Sequence, residues 1–189
     1  MRFDSKEQFE QLIKDKLNEL SQSHNWNAEN LLELKDYISS TNNHITYLMG
    51  EKFLEQLNSS TSEANFNYPE MNNNGYDLAF SLNESSVWIV AEIKGNIPCC
   101  SNKTRYGAQQ KEKISNDIKN LTKNKSTSQI TNEQFKDAYK FLVLLKNNKA
   151  AIEALIKRKE SYNIKILENN HFNLSELNTE TIYIVLIDL

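Results

Sequence analysis

Hydrophobic positions change their period part-way along this chain. Up to Leu57 they recur at helical spacing. Phe9, Leu12, Ile13, Leu17 and Leu20 form one stripe, and Leu31, Leu32, Leu34, Tyr37 and Ile38 a second. Ile45, Leu48, Met49, Phe53, Leu54 and Leu57 form a third, which the polar run Thr41–Asn43 separates from the second. Asp4 or Ser5 offers a cap for the first helix, which the stripe carries to about Ser21. Ser59–Glu63 reads as a polar loop.

From Tyr76 the pattern is that of strands. Tyr76–Ser81 and Val87–Lys94 flank Leu82–Ser86, a hairpin-like connection, and Pro98 stops regular pairing soon afterwards. A long helix is predicted from near Gly107 to about Lys123, with Ala108, Ile114, Ile118 and Leu121 facing inward. Thr131 and Gln134 fit a capping box for a short helix. Tyr139–Lys146 holds Phe-Leu-Val-Leu-Leu, a continuous apolar run of the kind a central strand needs when both its faces are covered. Ala150, Ala151, Ile152, Leu155 and Ile156 mark another helix, and Thr181–Leu189 a last buried strand. This order predicts an α/β (α+β) fold: a mixed central β-sheet flanked by helices. One domain is expected over residues 1–189, with a helical N-terminal part at 1–58 and the sheet core at 64–189.

Composition narrows the class only a little. A chain of 189 residues with 39% hydrophobic content suffices for one core. The net charge of −3 neither requires nor forbids a nucleic-acid partner, because binding depends on where the charge lies. Cys99 and Cys100 are adjacent, a poor geometry for a bridge, and no Cys/His cluster suggests zinc. His24, His44 and His171 are scattered. The N-terminus has no secretory apolar region, and no apolar run approaches the roughly 20 residues that span a bilayer. The expectation is a cytoplasmic, bacterial protein with no membrane partner; frequent Asn, Lys and Ile hint at an AT-rich source.

The chemistry-bearing residues lie between Asn74 and Lys94. Alternate strand residues face the same way, so Glu92 and Lys94 project from one face of their strand. On the preceding strand, Asp77, Ala79 and Ser81 make the less bulky face, and a hairpin would bring Asp77 beside Glu92. Two carboxylates at short distance repel, and a divalent cation relieves the repulsion. Magnesium suits such a site, because it takes few carboxylates and keeps waters and phosphate oxygens. The backbone carbonyl of Ile93 lies in the same neighbourhood and offers another oxygen. Lys94 can orient a water or stabilise developing charge on a phosphate. An isolated Glu-x-Lys is commonly just a solvated strand end. The Asp on the preceding strand, the helical N-terminal part and a basic helix afterwards set this one apart.

Gly75-Tyr76-Asp77 followed by Glu92-Ile93-Lys94 resembles the active-site signature of the PD-(D/E)xK nuclease superfamily, the fold of many type II restriction endonucleases. The element order from about Gly50 to Leu145 is also similar to that family's core, and Tyr76 stands where the name has Pro. The resemblance implies that Asp77 and Glu92 bind Mg2+, that Lys94 is the catalytic lysine, and that products carry 5′-phosphate and 3′-hydroxyl ends. It further suggests an acidic residue from the helix before the sheet, for which Glu51 and Glu55 are available, and a Gln in the next helix, for which Gln109 and Gln110 are. Surface roles for all four are as compatible with the sequence.

Between Ile93 and Lys125 eight lysines and arginines face two acidic residues, in a chain that is negative overall. Such a stretch suits a phosphate backbone, with Asn96, Lys103, Arg105, Lys111 and Lys113 as candidate DNA contacts. A solvated lysine-rich helix is the plain alternative. The function expected is a Mg2+-dependent endonuclease acting on double-stranded DNA. It is expected to be of the type II restriction class and a homodimer, since two-fold protein symmetry matches palindromic sites. A repair, recombination or toxin nuclease on the same scaffold, or a catalytically inactive DNA-binding module, are the alternatives.

Overall fold

The computed structural model describes Gln11, Lys14, Asp15, Asn18 and Glu19, and residues 28–59, 75–82, 87–95, 106–126, 128, 130–146, 149–157, 162–167 and 172–189. The chain forms two compact units, Met1–Ile45 and Thr46–Leu189. In the first, Gln11, Lys14, Asp15, Asn18 and Glu19 are helical, and Gln11 Nε2 donates to Asp15 Oδ1 at 2.7 Å, one turn along.

Helix α1 runs from Ala28 to Ser59 without interruption. The break expected at Thr41–Asn43 is therefore not present. Thr and Asn cost only about 0.5 kcal/mol each in a helix interior, and neither breaks the hydrogen-bond ladder as Pro does. The periodic residues on either side outweigh them. In the second unit Met49, Phe53, Leu54 and Leu57 of this helix are buried.

Five strands form one mixed sheet in the order β1-β2-β3-β5-β4. They are β1 (Leu78–Ser81), β2 (Trp88–Lys94), β3 (Tyr139–Leu145), β4 (Ile164–Leu167) and β5 (Ile182–Ile187). β1 and β2 are antiparallel, and Leu82 N–H donates to the Val87 carbonyl at 2.9 Å, while residues 83–86 of the expected hairpin connection lie outside the described residues; the other pairs are parallel. Strands β3 and β5 hold the interior, which is why both read as unbroken apolar runs. β4 was not anticipated. It has four residues, pairs among the described residues only with β5 and is half-buried, so its Ile-Lys-Ile-Leu pattern is short and weak.

Helices α2 (Ala108–Thr122), α3 (Asn132–Lys136) and α4 (Lys149–Ile156) complete the second unit, with a 3-10 turn at Leu174–Glu176. Ile114, Ile118 and Leu121 of α2 share one core cluster with Val90, Leu142 and Ile184. On the other face Phe53 of α1 packs on Phe141, ring centroids 5.1 Å apart. The architecture is thus α/β, a mixed five-stranded sheet with helices on both faces. Ala108 is exposed rather than inward, because it opens the helix before the stripe begins. The capping box of α3 is present: Gln134 N–H donates to Thr131 Oγ1 at 3.2 Å, and Thr131 N–H to Gln134 Oε1 at 2.9 Å. Among the described residues no helix is long and apolar enough to cross a membrane.

Candidate active site

The site lies where β1 begins and β2 ends. Gly75 has φ of 82°, the left-handed region that glycine enters without strain, and it turns the chain into β1. Tyr76 and Asp77 sit in this bend, before the strand proper, so the strand is shorter than the expected Tyr76–Ser81. The bend also breaks the alternation that put Tyr76 with Leu78 and Phe80. Its ring joins the core cluster on the α2 face and stacks on Phe135, centroids 6.1 Å apart.

Leu78 pairs with Ala91, and one further step in that register sets Asp77 opposite Glu92. Opposed residues of an antiparallel pair share a face. Asp77 Oδ2 accepts the Ile93 N–H at 2.7 Å, replacing the strand carbonyl that β1 no longer supplies there. A residue's carbonyl leaves a strand by the same edge as its N–H, so the Ile93 carbonyl points toward Asp77 as well. Ile93 is itself buried.

Lys94 ties the group together. Its Nζ lies 3.4 Å from Asp77 Oδ2, 3.7 Å from Glu92 Oε2 and 3.6 Å from Asp117 Oδ2. Asp77, Glu92 and Lys94 therefore converge on one side of the sheet. Asp117 comes from α2 and was not among the residues singled out from the sequence. The signal was present: it lies three residues after Ile114 and four before Leu121, a charged side chain on the apolar stripe of its helix. Lys125, read from the sequence only as part of the basic run, reaches in from the loop after α2 and forms an ion pair with Glu92 Oε1.

Electrostatics here are dominated by burial. Glu92 is 2% exposed, and its carboxyl is pushed up to about 7: burial raises it first, Asp77 and Asp117 add to this, and Lys125 opposes it. Burial likewise raises Asp117, against the pull of Lys94. Burial acts to lower the Lys94 ammonium, but the three carboxylates, Asp77 foremost, more than offset it and hold it above the ordinary lysine value. Tyr76 is pushed up to about 12, again by burial first.

The remaining predicted residues lie apart from this cluster. Glu51 is half-buried and Glu55 exposed on α1, the helix that covers the sheet face opposite Glu92, and among the described residues neither pairs with Lys94. Gln109 is exposed. Gln110 caps its own helix, Oε1 accepting the Gly107 N–H at 3.0 Å. Lys111 is half-buried and Lys113 exposed on α2, as is Lys119, and Lys123 is exposed just after the helix. Asn96, Lys103 and Arg105 lie outside the described residues. Two members of the basic run, Lys94 and Lys125, turn inward onto carboxylates, which lessens the charge that stretch presents to solvent.

Among the described residues no three His, Cys, Asp or Glu side chains form a ready-made metal cage. The donors still suit a hard divalent cation. Three carboxylates face two ammonium groups, and the oxygens are the ligand type magnesium takes. Comparison of the chain with protein-family models, with curated proteins and with solved structures finds no match.

Proposed function

We propose that this protein is a Mg2+-dependent DNA endonuclease built on a PD-(D/E)xK core, of the type II restriction class. The observation that carries the reading is the convergence of Asp77 and Glu92 on the Lys94 ammonium, three side chains that the hairpin alone brings into register. Such a set on a strand pair serves phosphodiester hydrolysis in a way that a solvated Glu-x-Lys does not.

Asp77, Glu92 and the Ile93 carbonyl would hold the magnesium. When bound, the ion polarises the scissile phosphate and lowers the pKa of a coordinated water. Asp77 is fixed for this task by the Ile93 N–H. Lys94 supplies an ammonium beside the reacting phosphate, where it orients the attacking water and stabilises charge as it develops on the phosphoryl oxygens. The exposed Lys113 and Lys119 on α2, and Lys123 just after it, are cations of the kind that contact a phosphate backbone. Attack of water on the phosphorus with breakage of the P–O3′ bond, the O3′ leaving group taking up a proton, leaves 5′-phosphate and 3′-hydroxyl ends. A homodimer acting on a palindromic site, in the cytoplasm, completes the proposal.

The test is incubation of the full chain with supercoiled plasmid DNA and Mg2+. Discrete fragments support site-specific cleavage. A smear points to a nonspecific repair, recombination or toxin nuclease on the same scaffold. Intact plasmid with a mobility shift identifies a DNA-binding module without catalysis. Glu92→Ala and Lys94→Ala are each expected to abolish cleavage while the protein stays folded by circular dichroism; undiminished cutting by either refutes the assignment of the site.

A further inference from the structure

We infer that Lys125 is a positioning residue for Glu92, one that sets how the glutamate presents its carboxylate to a divalent cation; the inference rests on the nuclease reading above. The Lys125 side chain bridges the two halves of the site. Its Nζ pairs with Glu92 Oε1 and donates to the Gly75 carbonyl at 2.7 Å, in the turn that delivers Asp77. The same ammonium lies 4.7 Å from the centroid of the Tyr76 ring. The backbone is fastened as well: Lys125 N–H donates to Tyr76 Oη at 3.1 Å, and Tyr76 Oη donates to Asn124 Oδ1 at 2.9 Å. Asn124 Nδ2 in turn donates to the Ile130 carbonyl at 2.8 Å, which holds the loop in shape.

The consequence is an asymmetric carboxylate. Oε1 of Glu92 is taken by Lys125, while Oε2 faces Lys94 at 3.7 Å on the side where Asp77 stands. With one oxygen held, the side chain cannot rotate freely about its last bond, and a single oxygen is offered beside Asp77. Because the ammonium also grips the Gly75 carbonyl, the spacing between the Asp77 turn and Glu92 is set by one cation. Lys125 need touch neither metal nor DNA to do this. Groups that orient ligands in this manner commonly change metal affinity or activity about 10- to 100-fold when removed.

The experiment is calorimetric titration of the full chain with Mg2+ alone, beside plasmid cleavage kinetics, for wild type, Lys125→Met and Lys125→Arg. Positioning predicts that Lys125→Met binds Mg2+ about 10-fold or more weakly and loses kcat with KM for DNA unchanged. Lys125→Arg, which can still bridge Glu92 and Gly75, is expected to recover most of the affinity. Mg2+ binding in Lys125→Met as tight as wild type, or tighter, overturns the inference, since Lys125 would then merely compete for the carboxylate. Lys125→Gln, neutral but still able to donate to Gly75, carries the same comparison should the Met variant not fold. A wild type that binds Mg2+ without cutting DNA overturns the nuclease reading alone, and the affinity comparison still decides the role of Lys125. A wild type that binds no Mg2+ overturns both.

Discussion

Glu92 and Lys140 are both buried ionisable side chains on one face of the sheet, on neighbouring strands, with Lys140 in register with Val90 two residues before Glu92. They are accommodated in different ways. The Lys140 ammonium donates to three backbone carbonyls, those of Thr179 at 2.5 Å, Ala138 at 2.9 Å and Lys136 at 3.4 Å, and lies 4.9 Å from the Phe135 ring. Each of its protons has an acceptor, and among the described residues it forms no ion pair. Burial lowers it to about 8. Glu92 sits instead in a crowd of charges, with two further carboxylates and two ammonium groups close by. Its Oε1 pairs with Lys125, and Asp117 Oδ2 meets the Lys94 ammonium only at 3.6 Å. One region satisfies a buried charge with neutral oxygens and closes the account of donors and acceptors. The other leaves an excess of negative charge, the condition a metal-binding site requires and a purely structural tie avoids.

The largest expected effect comes from crossing the two regions. Glu92→Gln keeps the shape and removes the charge, so cleavage is expected to fall by about 10³-fold or more, near 4 kcal/mol in barrier. The fold is expected to be unharmed or slightly firmer, since a poorly compensated buried charge is gone. Lys140→Met should do the reverse. Three carbonyls lose their donor, at a cost of about 1–3 kcal/mol in stability, while cleavage at saturating Mg2+ stays at the wild-type rate. Urea denaturation and plasmid kinetics on both variants read this directly. Loss of activity in Lys140→Met, or retained activity in Glu92→Gln, would dissolve the contrast.

The pH dependence of stability should have opposite sign in the two regions. Glu92 titrates near 7 in the folded protein against 4.5 as a free side chain, so the folded state binds the extra proton between those values. Its contribution to stability is present below about pH 4.5 and is lost as pH rises through about 7. Lys140 is lowered from 10.5 to about 8, so the unfolded state binds the extra proton in that interval, and stability rises from about pH 8 to 10.5. Each effect is at most about 3 kcal/mol. Melting temperatures across pH 4–11 for wild type, Glu92→Gln and Lys140→Met separate them: the first variant should lose the acid-side slope, the second the alkaline-side slope. An unaltered slope in either variant assigns the titration to another group.

What could be read from the sequence follows from how far each signal reaches. Glu92 and Lys94 share a face because strand alternation is a local rule, and the hairpin needs only the short Leu82–Ser86 connection to bring Asp77 alongside. The interior strands β3 and β5 and the Thr131–Gln134 cap were legible for the same reason: each is written within a few residues. Periodicity puts Asp117 on the inward stripe of α2, but that it and Lys125 meet Lys94 and Glu92 follows from the packing of α2 on the sheet, which no local pattern encodes. Lys125 read as surface charge because a loop lysine carries no facing information. The bend at Gly75–Asp77 escaped since alternation assumes a straight strand, and Tyr76 leaves that pattern to stack on Phe135. The Asn-rich middle of α1 looked like a break because weak helix formers resemble loop residues in composition, although they do not stop a helix whose flanks are fixed.

Asp117 gives the smallest and most discriminating effect. Its carboxylate is one of three within 4 Å of the Lys94 ammonium, so Asp117→Asn leaves Lys94 with Asp77 and Glu92 and loosens it without releasing it. A decrease in kcat of about tenfold is expected, near 1.4 kcal/mol, with KM for DNA unchanged because the Asp117 side chain is buried. Stability should stay within about 1 kcal/mol, because the asparagine loses the ion contact and also the burden of a buried charge. The two losses separate the possible roles of the residue. If Asp117 only braced the helix, its replacement would lower the urea midpoint and leave kcat intact. If it orients Lys94, kcat falls while the midpoint holds, and Asp117→Glu, which restores the charge on a longer arm, recovers part of the rate.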